Sequence, residues 1–180
     1  MFRNRIQMKT VLVTGLIGSG KSALCSILSR RGYPVYDSDS RTKALYECVP
    51  GLKEKIEETL GIPFGELGII FRDAARREAL ESLVHPLVIE DFRKFALESG
   101  APTVVFESAV ACSKPLFREL FDVTVLVRAD YPLRLQRNPK AEGRNAIQSE
   151  PQEPDYIIEN NSDLDALEAE ADKMIEKLNL

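Results

Sequence analysis

Gly15-Leu16-Ile17-Gly18-Ser19-Gly20-Lys21-Ser22 decides how this chain is read. The run fits G-x-x-x-x-G-K-[ST], and its flanks supply the context that pattern needs. Apolar Val11-Leu12-Val13 before it reads as a buried strand, and Lys21 to Arg31 after it reads as a helix. Glycines at 15, 18 and 20 permit positive φ and close backbone approach. Successive N–H groups can then wrap a phosphate at the positive end of the following helix. Lys21 is placed to reach the β- and γ-phosphates of a nucleoside triphosphate, and the Ser22 hydroxyl to ligate Mg2+. Gly15, Gly18, Ser19, Gly20, Lys21, Ser22 and Ala23 are the candidate nucleotide-phosphate contacts of this loop. A glycine-rich turn that matched by chance would lack the strand and the helix. The loop is silent on the phosphate acceptor.

Outward from the loop, short β-rich runs alternate with amphipathic stretches. Tyr33-Pro34-Val35-Tyr36, Thr103-Val104-Val105-Phe106, Val123 to Val127 and Tyr156-Ile157-Ile158 read as four further strands, continuously apolar as in a sheet covered on both faces. The helix after the loop carries Leu24, Ile27 and Leu28 on one face and stops at Gly32. Residues 38–48, 52–60, 73–83 and 86–99 read as helices, the last starting at Pro86 and ending at Gly100. A final helix over 163–178 sets Leu164, Leu167, Ala171, Met174, Ile175 and Leu178 at core spacing. The class is therefore α/β, a three-layer P-loop fold with a five-stranded parallel sheet. Ligands of such folds sit beyond the carboxyl ends of the strands. Gly15, Asp37, Asp39, Glu107 and Asn160 all fall there, so one cleft can collect them. The expected organisation is one domain: a core over 8–37, 101–130 and 154–180, helices over 38–100 long enough to form a subdomain over that cleft, and a further segment over 131–153.

The chain has 180 residues, 44% hydrophobic and 29% charged, a soluble globular composition. A net charge of −4 argues against a general nucleic-acid binder while leaving room for a local basic cleft. No stretch approaches the roughly 18 apolar residues that span a bilayer. Met1 to Lys9 is too short and polar for a signal peptide and reads as a basic tail. Cys25, Cys48 and Cys112 lie far apart and, with a single histidine, form no metal-ligand pattern. Reduced structural thiols point to the cytoplasm.

Asp37-Ser38-Asp39 ends the second strand. A carboxylate there can accept the proton of an attacking hydroxyl or hold magnesium through water, and Asp or Ser can equally cap a helix. Spacing alone does not divide these jobs between Asp37 and Asp39.

These residues carry a resemblance to the dephospho-CoA kinases. Val13 to Ser22 is similar to the family's T-G-G-I-G-S-G-K-S, and Gly32 to Asp39 resembles G-x-x-V-x-D-A-D. Leu83-Val84-His85-Pro86-Leu87-Val88 resembles the family's hydrophobic His-Pro segment, and Val105 to Ala109 continues the match. Pro154 to Asn161 resembles A-D-Y-V-I-x-N. The matches run in order along nearly the whole chain. The resemblance implies ATP and Mg2+ as cofactors and dephospho-CoA as the partner substrate, with no nucleic acid or membrane and a monomer or weak homo-oligomer. It implies Asp39 as the general base, Asp37 beside magnesium or the hydroxyl, and His85 in the region that receives dephospho-CoA. Glu107 falls on the magnesium or acceptor side, and Asn160 and Asn161 near the adenine. Charge neutralisation over the γ-phosphate calls for arginines, supplied in the family by the lid. Arg134, Arg137 and Arg144 are the candidates, Arg137 foremost.

Two regions depart from the pattern. Phe64 to Phe71 lacks the basic residue of the family's D-G-x-hydrophobic-x-R segment. The lid, Arg137 to Asp155, is short and holds Pro139, Pro151 and Pro154, leaving little room for a long helix. Alternatives from the same sequence are another small-molecule or nucleotide kinase, or a homologue that binds without turnover. A GTPase switch would need a guanine-reading N-K-x-D, and Asn160-Asn161-Ser162-Asp163 lacks the lysine.

Overall fold

The computed structural model describes residues 8–144 and 149–180, so the basic N-terminal stretch lies outside it apart from Met8 and Lys9. The chain falls into two compact units. One comprises the described residues up to Asp37 with Ala96–Leu180; the other is Ser38–Phe95.

The first unit is built on five parallel strands in the order β2-β3-β1-β4-β5. They are β1 (Lys9–Thr14), β2 (Val35–Asp37), β3 (Thr103–Glu107), β4 (Val123–Arg128) and β5 (Tyr156–Glu159). Each expected strand is present, and β3, β4 and β5 each run one residue further toward the carboxyl end. The alternation of side chains explains why these runs are apolar throughout. Val11, Val13, Val105, Val125, Val127 and Ile158 face a core closed by helix α1 (Lys21–Arg30) and the C-terminal helix α7 (Leu164–Leu178). Residues in between turn to the other face, where the Phe106 ring meets Tyr36, Phe117 and Phe121 at centroid distances of 5.1, 5.9 and 5.1 Å. Chain direction diverges around central β1: the chain first goes out to β2, then crosses to β4. The loop after β1 therefore opens at a topological switch point.

α7 is further tied to Arg31, just past the end of α1, and to β1. Arg31 grips the Asp172 carboxylate through Nε (2.8 Å) and Nη2 (3.0 Å), and Lys9 Nζ donates to the carbonyls of Leu178 and Asn179 at the end of α7. Asp163, expected within that helix, is its cap, its carboxylate accepting from Ala166 N at 2.9 Å. The hydrogen bond and charge of Arg31 hold the Asp172 carboxyl below its ordinary value. A lowered carboxyl stabilises the fold above the unfolded value and loses that contribution as pH falls through the folded one. Asp172→Asn is therefore expected to lower the urea midpoint near neutral pH, the gap from the native protein shrinking as pH drops below about 4. Midpoints at the two pH values check this; a constant gap counts against the ion pair.

The second unit contains α2 (Ser38–Cys48), α3 (Leu52–Leu60) and most of α4 (Ala74–Ser99). α2 and α3 match the expected spans. Between α3 and α4, Phe64–Arg72 forms a 3-10 helix that periodicity did not reveal, and Phe64 sets its ring edge-on to Tyr46. The two helices expected at 73–83 and 86–99 are one, with Pro86 inside it. Proline in a helix interior costs roughly 3 kcal/mol. Here Leu80, Val84, Val88 and Phe92 form a buried stripe continuing through position 86. At about 1.5–3 kcal/mol for each fully buried side chain, the stripe outweighs the break.

Candidate active site

The phosphate loop joins β1 to α1, and several of its carbonyls accept hydrogen bonds. Leu16 O accepts from Ser19 N at 3.1 Å and from Lys21 Nζ at 3.4 Å, and Gly20 O accepts from Leu24 N at 3.0 Å. Gly18 and Gly20 are required by both conformation and space. Their φ values are 81° and 104°, and an added Cβ would lie 2.4 Å from Arg134 O and 2.1 Å from Asn160 Nδ2 respectively. Ser19 Oγ is buried without a hydrogen-bond partner among the described residues, the kind of unsatisfied polar atom expected at functional loops. Ala23, in the first turn of α1, packs against the core beneath the loop.

Acidic residues face this loop from the neighbouring strands. Glu107 ends β3 and Asp37 ends β2, and the two are register partners in the sheet. Ser22 Oγ donates to Glu107 Oε1 at 2.6 Å. Mg2+ takes oxygen ligands and commonly uses one or two carboxylates beside substrate phosphates. The Ser22 hydroxyl, Glu107 and adjacent Asp37 form such an all-oxygen set and fit that ion. No group of three or more His, Cys, Asp or Glu among the described residues makes a dedicated metal cage. Under these carboxylates lies Cys25. Burial pushes its thiol well above the ordinary value, and Glu107 and then Asp37 add to the rise against the opposing charge of Lys21. A thiol so held stays protonated and takes no part as a nucleophile.

The far side of the loop is held by α5 (Tyr131–Arg137) and the residues after β5. Buried Arg134 donates Nη1 to Ile17 O at 3.3 Å while its guanidinium lies 5.5 Å from the Tyr131 ring centre. Buried Asn160 donates Nδ2 to Ser19 O at 2.8 Å. Arg137 Nη1 donates to Asn160 O at 3.0 Å and reaches Ser19 O at 3.5 Å. Asn161 Oδ1 accepts from Asp130 N at 2.8 Å, fixing the start of α5. A short helix α6 (Ala141–Arg144) follows, and the Arg144 side chain lies outside the described residues.

The first unit thus gathers the loop, Asp37, Glu107, Arg134, Arg137 and Asn160. Asp39, exposed in the first turn of α2, and half-buried His85, in α4, belong to the second. The tie between Ser22 and Glu107 and the grip of Arg134 on the loop were not anticipated. Both join residues far apart in sequence; the hints were the placing of Ser22 and Glu107 on the magnesium side and of Arg134 among the candidate arginines.

The profile of the dephospho-CoA kinase family matches residues 9–176. A dephospho-CoA kinase of Porphyromonas gingivalis is 34% identical over 148 residues, covering 77% of this chain and 73% of that one. The Corynebacterium glutamicum dephospho-CoA kinase is 29% identical over 196 aligned positions, covering 95% and 98% of the two chains. That alignment is longer than the whole 180-residue chain, so this protein is shorter than that relative at internal positions. Among solved structures, TT1252 from Thermus thermophilus superposes with a TM-score of 0.76 at 25% identity, covering 96% of this chain and 98% of that one. With the profile spanning nearly the full sequence and a similar fold at near-complete coverage, the chain belongs to the dephospho-CoA kinase family.

Proposed function

We propose that this protein transfers the γ-phosphoryl group of ATP to the ribose 3′-hydroxyl of dephospho-CoA, giving coenzyme A and ADP. The observation that carries the reading is the phosphate loop with Ser22 bonded to Glu107 beside Asp37, in a chain of this family. The 3′-oxygen forms a bond to the γ-phosphorus while the bond to the β,γ-bridging oxygen breaks, and the hydroxyl proton passes to Asp39. Lys21 and the loop N–H groups hold the phosphates, and Arg137 adds positive charge from α5. Mg2+, when bound, neutralises phosphate charge; Ser22, with Glu107 and Asp37 behind it, would hold the ion. His85 serves the acceptor side. The protein works in the cytoplasm as a monomer or weak homo-oligomer. The free thiols of Cys25, Cys48 and Cys112 agree with a reducing compartment.

The direct test is ADP release with ATP, Mg2+ and dephospho-CoA, with the product mass checked for one added phosphate. Turnover with that product is expected. Binding of both ligands without turnover identifies a binding-only homologue; no binding of dephospho-CoA, with turnover of another acceptor, identifies a different small-molecule kinase.

A further inference from the structure

A cradle of backbone N–H groups works only if the carbonyls between them turn outward and find partners elsewhere. Leu16 O and Gly20 O are satisfied by the loop and its own helix, but Ile17 O and Ser19 O depend on side chains from far along the chain. Of these donors, Asn160 is the buried neutral one with the shortest bond, 2.8 Å from Nδ2 to Ser19 O. Its amide also fills the space above Gly20, immediately before Lys21. Its backbone carbonyl accepts from Arg137 at 3.0 Å, so the same residue links the loop to α5. An amide engaged in this way is committed to the loop.

We propose that Asn160 is a positioning residue, its side-chain amide setting the phosphate-binding conformation of the loop through Ser19 O instead of reading the base of the nucleotide. The proposal rests on the kinase reading above. Substituting the side chain leaves the backbone contact to Arg137 in place, which isolates the amide. Without it Ser19 O is a buried acceptor lacking its principal donor, and the loop relaxes.

The test measures binding of Mg2+ complexes of ATP, ITP and inorganic tripolyphosphate to the native protein, Asn160→Ala and the near-isosteric Asn160→Asp. Thermal midpoints of both variants report separately on folding. The expected result is an affinity loss of about 5- to 30-fold for all three ligands, with the ATP-to-ITP ratio unchanged. The aspartate variant, which cannot donate, should lose at least as much. A collapse of the ATP-to-ITP ratio with tripolyphosphate binding intact would make Asn160 a base reader and overturn the proposal. Unchanged affinity for all three would overturn it too. Native protein that binds none of the three would remove the kinase reading and this proposal with it.

Discussion

Lys21→Ala is expected to lower turnover by about 10² to 10³, the loss typical of removing one preorganised charge from a developing oxyanion. The resting geometry explains why the effect should fall on chemistry and not on folding. Lys21 Nζ donates to Leu16 O over a long 3.4 Å. That carbonyl keeps its shorter bond from Ser19 N at 3.1 Å when the ammonium is gone. The loop should therefore survive the substitution while losing the charge that accompanies the transferring phosphoryl group. Initial rates with saturating ATP and dephospho-CoA, together with ATP affinity and a thermal midpoint, separate the two. A near-native rate would remove the loop from the active site. A fall in midpoint comparable to that of a core truncation would make Lys21 structural. Lys21→Arg should not restore the rate, because a planar guanidinium does not replace a compact ammonium in so tight a turn.

What the sequence disclosed and what it concealed follow the range of the interactions involved. The loop was readable because strand, glycines, Lys21 and helix are contiguous and each fixes its neighbour's conformation. α2 and α3 were readable for the same reason, with Gly51 and Gly61 marking the ends of α3. Pro86 misled because its cost is local, whereas the stripe of Leu80, Val84, Val88 and Phe92 that overrides it is satisfied only by tertiary burial. Phe64–Arg72 escaped notice because a 3-10 turn has neither the two-residue nor the 3.6-residue period. In the site, Asp37 and Glu107 were each placed at a strand end, but their pairing depends on β2 lying next to β3, a fact of sheet order. Arg134 shows the same limit more sharply. It read as one of three candidate lid arginines, behind Arg137, and the structure buries it with Nη1 on the Ile17 carbonyl.

Sheet order motivates a division of roles between the two aspartates that spacing left undivided. Asp37 is the register partner of Glu107, whose carboxylate takes the Ser22 hydroxyl at 2.6 Å, and on the proposed reading it supports magnesium. Asp39 is two residues on, exposed in the first turn of α2, with no such strand partner. Asp39→Asn is therefore expected to cut kcat by about 10² to 10⁴, the range of a lost general base, with ATP affinity within about twofold of native. The amide keeps the size of the carboxylate but cannot take the 3′-hydroxyl proton. Asp37→Asn should behave differently, raising the Mg2+ concentration needed for half-maximal rate and recovering much of kcat at high Mg2+. Magnesium titrations of both variants, each followed by ATP binding, make the distinction. If Asp39→Asn is rescued by Mg2+ and Asp37→Asn is not, the roles are reversed and Asp37 is the base. If Asp39→Asn loses ATP binding and turnover in equal measure, Asp39 is a binding residue, and the hydroxyl proton leaves by another route.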